Sequence, residues 1–194
     1  MRELAPVIIF TYNRPHHTRK MLQALENAEL AQDSNVFIFS DGAKNANAIE
    51  HVNRVRAIIA EPWNFKKITI IERERNVGLA QNVISGVSEI IKQYGKVIVL
   101  EDDLEISKVG LRYFNDALDA YEQEEKVMEI SGYMYPVKDA DKLAETFFFR
   151  VANSWGWATW KRAWDKYNTD IDQLIADFDK DKIKRFSKIG RAHV

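Results

Sequence analysis

Residues 97–105 read Val-Ile-Val-Leu-Glu-Asp-Asp-Leu-Glu. Four apolar residues, three of them β-branched, stop abruptly at three acids. A run this short, apolar on both faces and bounded by charge, predicts a strand buried inside a sheet. The same pattern recurs upstream, at residues 6–10 (PVIIF), 36–39 (VFIF) and 68–71 (ITII). Between these runs the apolar spacing changes to three and four, which predicts helices. Met21, Leu22 and Leu25 mark one over residues 16–28, and Ile49, Val52, Val55, Ile58 and Ile59 mark one over 46–60. Leu79, Val83, Val87, Ile90 and Ile91 mark a third over 77–94, stopped by Gly95.

Strand–helix alternation repeated four times predicts an α/β protein, a mostly parallel central sheet with helices on both faces. Ligands of such sheets bind beyond the carboxyl ends of the strands. The residues just after each predicted strand are therefore the candidate site: 11–14 (TYNR), 40–42 (SDG), 72–76 (ERERN) and 101–103 (EDD). All four clusters are polar. The second half changes character. Leu111, Phe114, Leu118 and Tyr121 stripe another helix, and residues 127–130 and 147–151 are expected as further strands. Trp155, Trp157, Trp160 and Trp164 then crowd into ten residues.

Composition narrows the function classes. The 194 residues carry 28 Lys+Arg against 29 Asp+Glu, a net charge of −1, so no broad basic footprint for nucleic acid exists. Cysteine is absent, which removes a disulfide framework, a thiolate zinc site and a cysteine nucleophile. No segment approaches the ~18 consecutive apolar residues of a membrane span, and the expectation is a cytoplasmic protein, with peripheral association at the inner face of the membrane left open.

The acids at 101–103 carry the strongest chemical signal. Three adjacent carboxylates cannot all stay ionised cheaply without a counter-charge. Hard oxygen ligands suit Mg²⁺ or Mn²⁺, which retain waters and bridge substrate phosphates. A solvated acidic loop is the plainer explanation, and the position at the end of a buried strand weighs against it. Plainer readings exist elsewhere too. Asp41 fits a turn acid before Gly42. Arg73 and Arg75 fit surface pairs with Glu72 and Glu74. The tryptophans fit a core, and a basic run over 180–188 fits a solvated helix face or a contact to anionic lipid.

Five segments in order, PVIIFTYNRP, FIFSDGA, ERNVGLAQNV, VIVLEDDLE and GWATWKRAW, give the chain a resemblance to nucleotide-sugar glycosyltransferases of the GT-A fold. It resembles the family-two-like group, and within it the N-acetylglucosaminyltransferase-I-like and bacterial polysaccharide transferases. The resemblance implies a Rossmann-like sheet and transfer of a sugar, with inversion, from a UDP-sugar to a hydroxyl of a glycan or lipid-linked glycan in cell-surface polysaccharide synthesis. It implies nucleotide contacts from Thr11, Tyr12, Arg14, Asp41 and Arg75, with Asp41 accepting from the uracil N–H. It implies that Glu101 and Asp102 hold the ribose and metal-bound water, and that Asp103 ligates Mn²⁺ or Mg²⁺. Asp165 is the expected general base, with Asp170 and Asp172 as competitors. Trp157 or Trp160 is the expected floor of the acceptor site.

Two other readings compete. A nucleotidyltransferase on a similar sheet carries a glycine-rich loop after its first strand, whereas this chain has no glycine before Gly42. A non-catalytic UDP-sugar-binding fragment would bind nucleotide without turnover. Residues 1–188 are expected to form a single GT-A domain that is truncated at its C-terminus. The last six residues, Ile-Gly-Arg-Ala-His-Val, equal the translation of ATCGGAAGAGCACACGTC, a sequencing-adapter string, so 189–194 are expected to be a non-native tail.

Overall fold

The computed structural model describes residues 3–136, 138–139 and 142–187, so the tail at 189–194, and Lys188 of the basic run, lie outside the described residues. Four strands, β1 (Val7–Thr11), β2 (Asn35–Ser40), β3 (Lys67–Glu72) and β4 (Lys96–Glu101), form the parallel part of one sheet. A short pair, β5 (Ile130–Ser131) and β6 (Trp157–Trp160), extends it, and the spatial order is β3-β2-β1-β4-β6-β5. β6 runs antiparallel to β4, with Lys96 opposite Trp160 and Val99 opposite Trp157.

Helices α1 (Pro15–Glu26), α2 (Ala46–Ile59), α3 (Leu79–Tyr94) and α4 (Gly110–Ala120) connect and cover the strands. The period of two in β1 and β2 sorts their side chains to two faces. Val7, Ile9, Val36 and Ile38 pack with Met21, Leu22 and Leu25 of α1, Val55 of α2 and Leu111 and Phe114 of α4. Ile8, Phe10, Phe37 and Phe39 pack with Val87, Ile90 and Ile91 of α3. The mostly parallel sheet covered by helices on both faces, expected from the alternation, is what the chain adopts, and it fits the GT-A, Rossmann-like arrangement that the resemblance implies. Each fully buried aliphatic side chain of these two cores contributes roughly 1.5–3 kcal/mol. Pro15 at the first position of α1 needs no hydrogen-bond donor there, and Asn45 caps α2 by accepting from the Ala48 N–H.

Three short helices follow β6: α5 (Lys161–Trp164), α6 (Ile171–Ala176) and α7 (Lys180–Ser187). Two sequence expectations need correction. The strand expected at 127–130 shrinks to Ile130–Ser131. The strand expected at 147–151 does not form. Phe147, Phe148, Phe149 and Val151 are all exposed, and no strand pairs with them. A short apolar run has no intrinsic claim on a sheet position, because pairing depends on a free neighbouring edge.

Candidate functional site

Because β1 to β4 are parallel, the loops after all four strands open at one end of the sheet. The chain builds outward from β1 through β2 to β3, then crosses back to place β4 on the other side of β1. The crevice between β1 and β4 is thus the point where the winding direction reverses, the usual ligand position in open α/β sheets.

The loops of β1 and β4 meet across this crevice. The Tyr12 N–H donates to Asp102 Oδ2 at 3.2 Å. Arg14 Nη1 donates to Asp103 Oδ2 at 2.6 Å and lies 3.9 Å from Asp102 Oδ1. Glu101 stands beside Phe10 in the β1–β4 register. Burial raises the Glu101 pKa above the usual carboxylate range, and the Asp103 and Asp102 charges push it further, against the pull of Arg14. Burial likewise raises Asp102, opposed by the Tyr12 N–H and by Arg14. A cluster of carboxylates with one guanidinium as counter-charge favours a further cation.

The β2 and β3 loops form the adjoining wall. Asp41 is buried, and both its oxygens are fully engaged. Oδ1 accepts from the Gly42 and Val77 N–H groups at 2.9 Å each. Oδ2 accepts from Asn76 Nδ2 and the Gly78 N–H at 3.0 Å each. Four acceptor sites are the capacity of a carboxylate. Asp41 therefore staples the β2 loop to the segment leading into α3 in the ligand-free protein. Asn76 and the backbone of Val77 and Gly78 were not singled out in the sequence, since their role depends on a contact 35 to 37 residues away. Gly42 permits the close approach, because a Cβ there would sit 2.4 Å from the Arg75 carbonyl carbon.

The remaining expected nucleotide residues stand on the same rim. The Tyr12 hydroxyl accepts from the Lys44 N–H at 3.1 Å. Arg75 is exposed and has no side-chain partner among the described residues. Arg73, by contrast, is held beneath the rim by Asn82 Oδ1 and Ser85 Oγ, over the Phe39 ring. Thr11 and Ser40 are paired in register, and both buried hydroxyls lack a partner among the described residues. Ser40 and Arg73 belong to the clusters 40–42 and 72–76 expected at the strand ends, and sequence reasoning assigned neither of them a role of its own.

The expected base and acceptor floor fall elsewhere. Since β6 runs antiparallel to β4, its last residue, Trp160, lies beside Lys96, and the Lys161 N–H donates to the Gly95 carbonyl. Asp165 ends α5, which starts there, and its carboxylate pairs with Lys161. This is the opposite end of β4 from residues 101–103, about 17 Å away along the strand. The structure does not bring Asp165 to the crevice. Asp170 caps α6 by accepting from the Gln173 N–H, and Asp172 sits exposed in that helix's first turn. Trp160 is 3% exposed, packed into the core with its indole N–H donating to the Leu118 carbonyl. Trp157 lies on the other face of β6 against Trp164. The two tryptophans cannot share one acceptor floor.

Among the described residues no three His, Cys, Asp or Glu side chains converge as a ready-made cation site. The donors still fit Mg²⁺ or Mn²⁺. Asp103 offers an exposed hard oxygen at the crevice, and such cations commonly take one or two carboxylates and complete their shell with water and substrate phosphates.

Three solved structures are similar to this chain. Crystal structures of similar fold include S. aureus TarS 1-349 (TM-score 0.43, 18% identity, covering 62% of this chain and 33% of that one). A second is the mannosyltransferase PcManGT from Pyrobaculum calidifontis in complex with GDP-Man and Mn²⁺ (0.47, 16%, 68% and 35%). A third is 4-diphosphocytidyl-2C-methyl-D-erythritol synthase from Anaerococcus prevotii (0.49, 12%, 98% and 85%). The chain spans about a third of the length of the first two. No curated protein matches the sequence. The sheet order and its crevice are those of a GT-A, Rossmann-like domain. The sequence profile of Glycosyl transferase family 2 matches residues 7–178, and the chain belongs to that family.

Proposed function

We propose that this chain transfers a sugar, with inversion, from a nucleoside-diphosphate donor, UDP-linked, to a hydroxyl of a glycan or lipid-linked glycan, in cell-surface polysaccharide synthesis at the cytoplasmic side of a membrane. The observation that carries the reading is the meeting of Arg14 with Asp102 and Asp103 across the β1–β4 crevice. Cationic and anionic groups lie side by side there, as a diphosphate with its counter-ion requires. Arg14 would orient the diphosphate, and Tyr12, Thr11 and Arg75 would line the nucleoside. Mn²⁺ or Mg²⁺ held by Asp103, with Glu101 and Asp102 ordering ribose and water, would supply neutralisation of the leaving diphosphate. Asp41 supports this donor site by fixing its wall.

Among the described residues no helix is long and apolar enough to cross a membrane. Calorimetric titration of UDP and GDP, each with Mn²⁺ and with EDTA, tests the reading. UDP binding that requires Mn²⁺ and exceeds GDP supports it. Nucleotide binding that ignores EDTA removes the metal, and absence of binding by either nucleotide removes the donor site.

A further inference from the structure

The residues flanking β5 and β6 return to the crevice end of the sheet. β5 leads upward into Gly132, Tyr133 and Tyr135, and β6 descends from Trp155 and Gly156. A Cβ on Gly156 would come within 3.6 Å of Leu100 and 3.9 Å of Leu104, the residues that bracket 101–103. Gly156 has φ +71°, a conformation open to glycine, and it turns the chain so that Trp155 stands at the crevice end.

Three rings gather at this point. Tyr133 and Trp155 lie 4.7 Å apart between centroids, Tyr133 and Tyr135 5.3 Å, and Tyr135 and Trp155 5.7 Å. They remain 36%, 47% and 51% exposed for Tyr133, Trp155 and Tyr135 respectively. The backbone beneath them is tied down. The Gly132 N–H donates to the Gly156 carbonyl, Asn153 Nδ2 to the Tyr133 carbonyl, the Trp155 N–H to Asn153 Oδ1, and the Asn153 N–H to Glu129 Oε1. Core aromatics are buried, and scattered surface aromatics are not clustered and braced in this way. The two phenol hydroxyls and the indole N–H have no partner among the described residues, so each ring offers an apolar face and a polar edge.

We propose that Tyr133, Tyr135 and Trp155 form a carbohydrate platform that stacks a pyranose ring of the acceptor beside the donor crevice. A pyranose has the matching chemistry, an apolar face of C–H groups rimmed by hydroxyls. Trp155 leads into β6, one strand spacing (~5 Å) to the side of β4, and Tyr133 and Tyr135 follow β5, two spacings (~10 Å) to the side, so the platform flanks the crevice. It replaces Trp157 and Trp160 as the acceptor surface. The assignment rests on the donor reading above and deepens it.

The test uses the full chain with methyl glycosides of glucose, galactose, mannose and N-acetylglucosamine at millimolar concentration, read by saturation-transfer NMR, with UDP–Mn²⁺ calorimetry alongside. Transfer to ring protons of at least one glycoside is expected. It should weaken about three- to tenfold in Trp155→Ala and separately in Tyr135→Ala, with UDP–Mn²⁺ affinity kept in both. Tyr135 is the more exposed, so its variant keeps the test alive if Trp155→Ala fails to fold. Absence of transfer in the wild-type chain, or equal transfer in both folded variants, overturns the platform. Concentration-dependent association of the wild type that Trp155→Ala abolishes, without sugar binding, also overturns it by assigning the rings to contact between copies. Failure of UDP binding with glycoside transfer intact strikes the donor reading and leaves the platform standing.

Discussion

Arg14 and Asp103 face each other across the β1–β4 crevice, with Nη1 2.6 Å from Oδ2, although 89 residues separate them in the chain. The guanidinium occupies one of the two Asp103 carboxylate oxygens. In the ligand-free protein Arg14 is thus the counter-charge of the acids, and under the proposed function a donor diphosphate would offer it an alternative partner. Arg14→Ala should strengthen Mn²⁺ binding in the absence of nucleotide about two- to fivefold, a modest gain because the pair is half exposed. The same variant should weaken UDP in the presence of Mn²⁺ by about tenfold or more. Calorimetry with Mn²⁺ alone and with UDP plus Mn²⁺ checks both; Mn²⁺ affinity that falls in the variant contradicts the exchange.

Asp103→Ala should abolish the Mn²⁺ dependence of UDP binding while leaving the fold intact, since its carboxylate is exposed and among the described residues reaches only Arg14. Unchanged UDP affinity with Mn²⁺ in that variant would count against the metal assignment. A matching melting curve for variant and wild type establishes that the loss is local.

Asp41→Ala is expected to act on the wall rather than on base selection. It strands the N–H groups of Gly42, Val77 and Gly78, which now donate to the carboxylate, and leaves the Asn76 amide only its bond to the Gly42 carbonyl. A cost of about 2–4 kcal/mol follows from leaving such donors unpaired. UDP and GDP should weaken together. A loss confined to UDP would show that Asp41 reads the base after all.

Gly42→Ala attacks the same joint from its other side. The new Cβ would meet the Arg75 backbone at 2.4 Å, so the β3 loop must shift. A cost of about 1–3 kcal/mol is expected, lowering Tm by about 3–10 °C. Because both changes release one loop, Asp41→Ala and Gly42→Ala together should cost less than their sum, which a double-mutant cycle in urea measures.

The parallel half of the sheet was legible because its signals are local. Compact β-branched runs at 36–39 and 97–100, each ending in polar residues, fix both the strands and the end at which the site opens. Arg14 and the acids at 101–103 followed from that end. What was not legible depends on direction and pairing. Asp165 and Trp160 sit far from the crevice only because β6 runs antiparallel, and nothing in GWATWKRAW encodes strand direction. Phe147 to Phe149 have strand composition without a partner edge. Trp155 belongs to the same tryptophan cluster as Trp160, but a glycine at φ +71° sends it to the other end.

Glu129 gives a stability prediction with a definite sign. Burial raises its pKa above the ordinary glutamate range, and the Asn153 N–H only partly offsets this. The folded state therefore binds the Glu129 proton more tightly than the unfolded state does. Stability from this group is greatest below the ordinary glutamate pKa and declines as pH rises through the window up to the raised value; above it the full cost of a buried charge persists. Glu129→Gln keeps an oxygen for the Asn153 N–H and removes the charge. Its Tm should exceed that of wild type at pH 7 to 8, and the difference should shrink toward zero as the pH falls below the ordinary glutamate range. Thermal unfolding of both proteins across that range checks the sign. A variant less stable than wild type at pH 7, by a margin independent of pH, would mean that the Glu129 charge itself supports the loop carrying Asn153 and Trp155.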